Sequence, residues 1–206
     1  MEKVVAVLWR PEGTPMEAWA EVLLGPLAAR LGDLGAAGVQ VNVADGAVAG
    51  AAVRFSTFER PIEAVVAVWL PTATGSAADA VLAELGVAAE RMAAYLVTES
   101  VPLAPPPVGP GERTPGFANV ALLRRPAHLD RDEWLARWQG DHTQVAIDTQ
   151  STFGYVQHVV VRPLTPVPRS STASWRSSSP SRRCTTSTCS STPAAATTSW
   201  AGAWPP

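Results

Sequence analysis

One histidine and two tryptophans are spaced so that they can meet on one side of a helix. His142 lies four residues after Trp138 and eight after Trp134, and side chains four apart share a helix face. A neutral imidazole beside two indoles can act as a general acid or base toward an aromatic or enolic substrate, and burial would lower its pKa. The alternative is a histidine that packs in the core or caps a carbonyl. We predict His142 as a catalytic residue, with Trp134 and Trp138 contacting substrate.

A second polar set lies on the strand that follows this helix. Alternation along a strand sends Tyr155 and Gln157 to one face and Val156 and His158 to the other. This alternation predicts that only one of the two pairs faces the interior. Tyr155 with Gln157 is the pair predicted to hydrogen-bond a ligand oxygen, although a tyrosine on a strand also serves packing alone.

Other kinds of chemistry lack the residues they need. A metal site requires three or four convergent ligands, and His142 with His158 does not supply them. No glycine-rich turn for a flavin or nicotinamide and no nucleophile elbow is found, so we predict neither metal nor cofactor. Arg10 and Arg125 end matching strands, where they either bind a carboxylate or face solvent.

The elements that must position these residues occur twice. Sliding the chain by 115 residues aligns nine identities between residues 5–43 and 120–158, among them Trp19 with Trp134. Each copy has an apolar strand, a helix with an N-terminal capping signal and a second strand. The predicted caps are Thr14 with Glu17 in the first copy and Asp130 with Glu133 in the second. The first copy continues in the order β-α-β-β-α-β, with a second helix capped at Ser76. This pattern indicates an internal duplication. We predict an α+β fold of two tandem ferredoxin-like units that cover each other's open sheet face, the second unit being incomplete.

Composition sets the boundaries of these units. Residues 102–116 contain six Pro and three Gly, a density that interrupts helices and central strands. We therefore predict a first unit at 1–100, a linker at 101–116 and a second unit at 117–166. Residues 167–206 hold 18 Ser and Thr but no acidic residue, so we predict a disordered tail.

The tail also fits a different reading frame. The chain has fifteen Arg and one Lys, the usage of a GC-rich gene. Reading one base earlier from residue 170 can give a peptide similar to residues 62–71, with the single codon of Trp175 compatible. We therefore hypothesise that the tail is the frameshifted end of the second unit. Its Cys184 and Cys189 then carry no redox or metal role.

The remaining bulk features exclude some partners. The net charge of −2 and the lack of a Lys/Arg run argue against binding to nucleic acid or to an anionic membrane. No uncharged apolar stretch is long enough for a transmembrane helix, and the start does not have the form of a secretory signal. We expect a cytoplasmic protein, assembled as a pseudo-dimer within one chain or as a homodimer.

Residues 117–162, and residues 3–98 more loosely, resemble a known family. The segments 119–126 (NVALLRRP) and 153–158 (FGYVQH), with Asp130, Trp134, Trp138 and the pair Asp141 and His142 between them, resemble the EthD family of dimeric α/β-barrel proteins. This family is loosely grouped with oxidoreductases, and related barrels hold small hydrophobic substrates. The family pattern continues with a strand and a helix, and this chain departs from it after Pro166.

The resemblance implies a cofactor-independent enzyme of the oxidoreductase or isomerase type. Its substrate would be a small hydrophobic compound that bears oxygen, with His142 as acid or base. Two alternatives stay open: a non-catalytic binding or accessory protein of a degradation pathway, and a non-functional frameshifted product. Loss of turnover with retained ligand binding in His142→Ala would distinguish the enzyme from the binding protein.

Overall fold

The computed structural model describes residues 1–51 and 58–166, together with the backbone of residues 195–202. The strands are β1 (Glu2–Trp9), β2 (Gly38–Val43), β3 (Ala64–Leu70), β4 (Arg91–Leu103), β5 (Phe117–Arg124), β6 (Thr152–Pro163) and β7 (Ala195–Gly202). The helices are α1 (Met16–Val22), α2 (Ala28–Asp33), α3 (Ser76–Val87), α4 (Arg131–Ala136) and α5 (Thr143–Thr149). A π-helical turn joins α1 to α2 at Leu23–Leu27, and another joins α4 to α5 at Arg137–His142. A short 3-10 turn spans Gly46–Val48.

All seven strands belong to one sheet, in the order β2-β3-β1-β4-β6-β7-β5. The first four strands pair antiparallel in the order β2-β3-β1-β4. With their helices they follow the chain order β-α-β-β-α-β, which is compatible with a ferredoxin-like fold. The predicted α+β class is confirmed. The two halves of the chain join where β4 pairs antiparallel with β6.

The apolar run of β1 is buried on both sides. Its even-numbered residues Val4, Ala6 and Leu8 belong to a core cluster with the helices, whose largest members include Leu23 and Leu31. Leu23 and Leu31 lie eight residues apart, so they belong to one apolar stripe of the helix, which packs against the sheet. β1 therefore reads as a continuous apolar segment, because a strand covered on both faces needs hydrocarbon on both.

The odd-numbered side of β1 defines what we call the inner face of the sheet. Val5, Val7 and Trp9 form a second buried cluster there with residues of β3 and β4. Val120 and Leu122 of β5 and Val160 of β6 pack against this cluster. The second half of the chain thus contributes to covering the open sheet face of the first.

The helix starts differ in part from the capping predictions. Asp130 Oδ1 accepts a hydrogen bond from the backbone N–H of Glu133 at 2.7 Å, as predicted. In the first half the N-cap is Pro15, without a side-chain bond, and the carbonyl of Thr14 instead accepts from Arg10. At α3 the N-cap is Gly75, with φ of 85°, a conformation that glycine adopts without strain.

The predicted linker at 101–116 begins too early. β4 continues to Leu103 and includes Pro102, which lies in the register shift between Ser100 and Leu103 where β4 pairs with β6. A bulge tolerates proline because the ladder hydrogen bond is already interrupted. Pro105 then packs so closely on Gly154 that a Cβ at Gly154 would lie 2.8 Å from the Pro105 Cβ.

The structure describes one segment of the predicted disordered tail, Ala195–Gly202. Its backbone forms β7, which lies between β5 and β6 and runs parallel to both. The prediction for the rest of the tail, including Cys184 and Cys189, falls on residues outside the described ones.

Candidate functional site

Three titratable side chains of the inner face form a connected set, which we call the Lys3 cluster. Lys3 lies on β1, Glu99 on β4 and His158 on β6. The register places Lys3 opposite Val97 and Glu99 opposite His158, so neighbouring strands bring side chains from distant parts of the sequence to one face. The Nζ of Lys3 donates to Glu99 Oε2, and the same oxygen lies 3.1 Å from His158 Nε2.

Lys3 is buried although it carries an amine. Only 5% of its surface is exposed, and its Nζ lies 4.1 Å from the centre of the Trp69 ring. Burial lowers the pKa of Lys3, and the hydrogen bond and charge of Glu99 only partly oppose this effect. The amine therefore loses its proton more easily than a lysine on the surface.

Glu99 and His158 hold each other in defined protonation states. The hydrogen bond from His158, supported by the one from Lys3, lowers the pKa of Glu99 to about 2, so Glu99 is a carboxylate. Burial lowers the pKa of His158, and the bond to Glu99 only partly opposes this effect. Because a carboxylate only accepts, the neutral imidazole must carry its proton on Nε2.

The Lys3 cluster borders an open cleft, which we call the Lys3 cleft. Its volume is about 450 Å³, and its lining includes Lys3, Trp69, Val97, Glu99 and Val161. This volume lies within the range of small-molecule sites, which combine apolar walls with a few placed polar groups. The cleft thus offers an indole, an amine and a carboxylate to one ligand.

A further polar group lies on the inner face, at Tyr95. Only 4% of Tyr95 is exposed, and burial raises the pKa of its hydroxyl to about 12. The phenol therefore stays protonated at neutral pH. It adds a neutral hydroxyl to the same sheet face as the Lys3 cluster.

The structure brings some of the sequence-predicted site residues together, on the other face of β6. Trp134 and Trp138 stack with ring centres 5.6 Å apart, and buried Trp138 has no hydrogen-bond partner for its Nε1 among the described residues. Gln157 donates to Thr143 Oγ1 at 2.7 Å, and Thr143 donates to the Trp138 carbonyl at 2.8 Å. The amide of Gln157 is thus already engaged in holding the helix to the strand.

The prediction that only one face of β6 is interior is wrong. Tyr155 and Gln157 are buried on one side, and His158 is equally buried on the other. The reason is that the helices cover the face of β6 that carries Gln157. The opposite face, which carries His158, belongs to the inner face of the sheet, where His158 contacts Glu99 of β4. Strand alternation separates the two sets correctly, but it does not reveal that both are covered.

His142 lies at the end of the π-helical turn, where its side chain is exposed. The burial expected for it is not found, because the wider turn changes the angular spacing that an α-helix would give. Its catalytic role stays a prediction. Arg10 and Arg125 are both engaged within the chain: Arg10 pairs with Glu63 at 2.8 Å, and Arg125 donates to the Leu129 carbonyl.

Sequence reasoning missed Lys3 and Glu99, and assigned no role to His158. One signal was available for Lys3, because it is the only lysine among sixteen basic Lys and Arg residues. Its pairing with Glu99 is separated by 96 positions in the chain. No local pattern encodes such a contact.

Two general features complete the description of the site. Among the residues that the structure describes, no three His, Cys, Asp or Glu side chains are grouped so that they could hold a metal ion. In the same part of the chain, no helix combines the length and the apolar character needed to cross a bilayer.

No protein-family model matches the sequence, and neither does any curated protein.

Proposed function

We propose that the chain is a cofactor-independent enzyme that transfers a proton on a small hydrophobic, oxygen-bearing compound bound in the Lys3 cleft. The observation that carries this proposal is the buried contact of Lys3 with Glu99 at the cleft wall, extended to His158. Buried charged groups with shifted pKa values are concentrated at functional sites. An isomerase or oxidoreductase reaction would use such a proton transfer.

The three residues have different roles in this proposal. Lys3 donates a hydrogen bond to the ligand oxygen and stabilises the negative charge that develops on it. Glu99 accepts the proton from carbon. When Lys3 turns toward the ligand, one of the groups that lower the pKa of Glu99 is engaged elsewhere, so Glu99 becomes a stronger base. His158 is a positioning residue that holds the carboxylate.

The cleft walls favour a hydrophobic ligand. The Trp69 ring and the side chains of Val97 and Val161 supply apolar surface, while Lys3 and Glu99 supply the polar contacts. An aromatic or aliphatic ketone has the corresponding division into an apolar body and one oxygen. The substrate class that the EthD resemblance implies has the same character.

Deuterium exchange tests this proposal without knowledge of the natural substrate. We expect the protein to accelerate exchange of the α-protons of phenylacetone in D₂O, followed by proton NMR, beyond the rate given by free lysine. General acid or base groups contribute on the order of 100-fold or more. Glu99→Gln should therefore lose about 100-fold in rate. The matched control Glu133→Gln, on the surface of α4, should retain it.

The same experiment separates the Lys3 cluster from the helix site. His142→Ala should leave exchange intact if the reaction occurs in the Lys3 cleft. Loss of exchange in His142→Ala with retention in Glu99→Gln would move the reaction to the helix. No acceleration by the unmodified protein, together with saturable binding of phenylacetone, would favour the alternative of a non-catalytic binding protein.

We also propose that the two halves are tandem copies of one EthD-like unit, forming a pseudo-dimer in one chain. Matching elements support this proposal: β1 and β5 have bounds 115 residues apart at both ends, and each is followed by a helix with a π-helical turn. Arg10 donates to the carbonyl of Thr14, and Arg125 donates to that of Leu129, which are equivalent contacts at the same offset.

A second candidate, an incomplete frameshifted product, is favoured by the direction of β7. In the first half the strand between β1 and β2 is β3, antiparallel to both. The strand between β5 and β6 is β7, parallel to both. We infer that β7 occupies the position of an antiparallel strand encoded in another frame. Sequencing the gene across the codon of Pro166 tests this, and a frame uninterrupted in independent sequence reads would contradict it.

A further inference from the structure

The single lysine of this chain is placed where an amine, and not only a positive charge, is useful. The chain contains one Lys and fifteen Arg, and that Lys is buried at the wall of the Lys3 cleft. An arginine pairs with a carboxylate through two parallel hydrogen bonds and keeps its charge under all conditions. A salt bridge to Glu99 alone would therefore not require lysine. What lysine adds is a nitrogen that becomes nucleophilic once it loses its proton.

Burial of Lys3 favours this nucleophilic form, because it lowers the pKa of the amine and outweighs the opposing effect of Glu99. The Trp69 ring covers it at 4.1 Å, and only a small part of the side chain is exposed. Glu99 contacts it directly and can carry a proton between the nitrogen and a bound oxygen atom. The neutral imidazole of His158 contacts the same oxygen of Glu99 and keeps that carboxylate in place.

We propose that Lys3 forms an imine with the carbonyl carbon of a small hydrophobic aldehyde or ketone bound in the Lys3 cleft. This proposal rests on the proposed function, because it assumes that the cleft binds an oxygen-bearing compound. It adds the chemical class of that compound and a covalent intermediate.

The reaction is balanced within the site. The neutral amine of Lys3 attacks the carbonyl carbon, a carbon–nitrogen bond forms, and the carbonyl electron pair moves to oxygen. Glu99 takes a proton from nitrogen and returns it to that oxygen, which gives a carbinolamine. A second proton transfer of the same kind expels the oxygen as water and leaves the carbon–nitrogen double bond. Glu99 ends as the carboxylate it was at the start.

Reductive trapping tests the proposal on the unmodified protein. Phenylacetone or benzaldehyde is added at pH 7.5 with sodium cyanoborohydride, which reduces an imine to a stable secondary amine. Fragment-ion mass spectrometry of the N-terminal peptide then distinguishes the ε-amine of Lys3 from the α-amine of Met1. Lys3 is the one lysine of the 206 residues, so within this sequence the α-amine of Met1 is the amine from which it must be distinguished.

The unfolded chain provides the matched control. In concentrated urea Lys3 has the same sequence neighbours but no burial, cleft or Glu99 contact. We expect trapping at Lys3 to be roughly tenfold faster in the folded protein for each unit by which burial lowers the pKa of its amine. A folded protein that is trapped at Met1 alone, or at Lys3 no faster than in urea, would overturn the proposal.

Lys3→Arg separates this proposal from the proposed function. Arginine keeps the positive charge that stabilises a ligand oxygen but cannot form the imine. If the imine is the intermediate, Lys3→Arg loses both trapping and deuterium exchange of phenylacetone. If trapping fails in the unmodified protein while Lys3→Arg retains exchange, the imine is excluded and the proposed function stands. If the unmodified protein shows neither trapping nor exchange, both proposals fail.

Discussion

The two halves of the chain begin alike and are completed differently. Each starts with an eight-residue strand, β1 or β5, followed by a helix that a π-helical turn interrupts. In the first half, β3 pairs antiparallel between β1 and β2. In the second half, the intervening strand is β7, which is parallel to its neighbours. The first strand and helix of a half therefore do not determine the direction of the strand that pairs beside them.

The interiors of the halves differ in chemistry as well. Among the residues that the structure describes, all buried members of the two apolar core clusters lie between Val4 and Val97. The buried residues of the second half include Thr143, Gln157 and His158, which are polar and hydrogen-bonded. Removing volume from an apolar core lowers the free energy of unfolding. The effect of removing a polar group depends on whether its hydrogen-bond partner is left unsatisfied. Stability should therefore be concentrated in the first half.

The largest expected effect comes from truncating matching positions of the two helices. Leu23, fully buried in the first half, aligns with Trp138 of the second at the offset of 115 residues. Leu23→Ala should lower the free energy of unfolding by about 3 kcal/mol, because it removes buried methyl groups and leaves a cavity. Trp138→Phe should cost about 1 kcal/mol or less, since the lost indole N–H has no partner in the part of the chain that the structure describes. Urea unfolding measures both, and equal costs would mean that the halves are packed alike.

An intermediate effect is expected when the pH is lowered. The pKa of His158 is lowered on folding, so the unfolded chain binds a proton first. The contribution of His158 to stability is complete above pH 6.5 and is lost below it, by up to about 1.4 kcal/mol per pH unit. Glu99, with a pKa of about 2 in the folded protein and 4.5 in the unfolded one, adds a second loss below pH 4.5.

Urea midpoints measured between pH 8 and 3 check this dependence. His158→Phe should remove the loss that starts at pH 6.5, because no imidazole remains at that position. His142→Gln, which changes an exposed side chain, should leave the loss in place. The opposite result for these two variants would contradict the assignment of this loss of stability to His158.

The smallest expected effect concerns the helix starts. Asp130→Ala should lower the free energy of unfolding by about 1 kcal/mol, because the N-cap bond to the Glu133 N–H is lost. Thr14→Ala should change the free energy of unfolding by only about 0.3 kcal/mol, since the α1 start has no side-chain cap bond. Thermal unfolding of the two variants compares them. A larger cost for Thr14→Ala would indicate that its hydroxyl caps α1 in solution.

Much of the fold could be predicted from local patterns. The apolar run at 3–9, the strand Gly38–Val43 and the cap at Asp130 follow from residue type and spacing over a few positions. Which residues come together at the site could not be predicted in this way. The α-helical spacing that groups His142 with Trp138 fails at the π-helical turn, where one extra residue per turn rotates the later side chains.

The sequence by itself determined the α+β class, the order of strand and then helix that begins at Glu2 and again at Phe117, and the presence of one lysine among many arginines. These are properties of residue type and of spacing along the chain. Only the tertiary structure decided that Lys3, Glu99 and His158 meet. Their contact depends on the antiparallel registers of β1 with β4 and of β4 with β6, and a register is set by which faces are buried when the whole sheet forms.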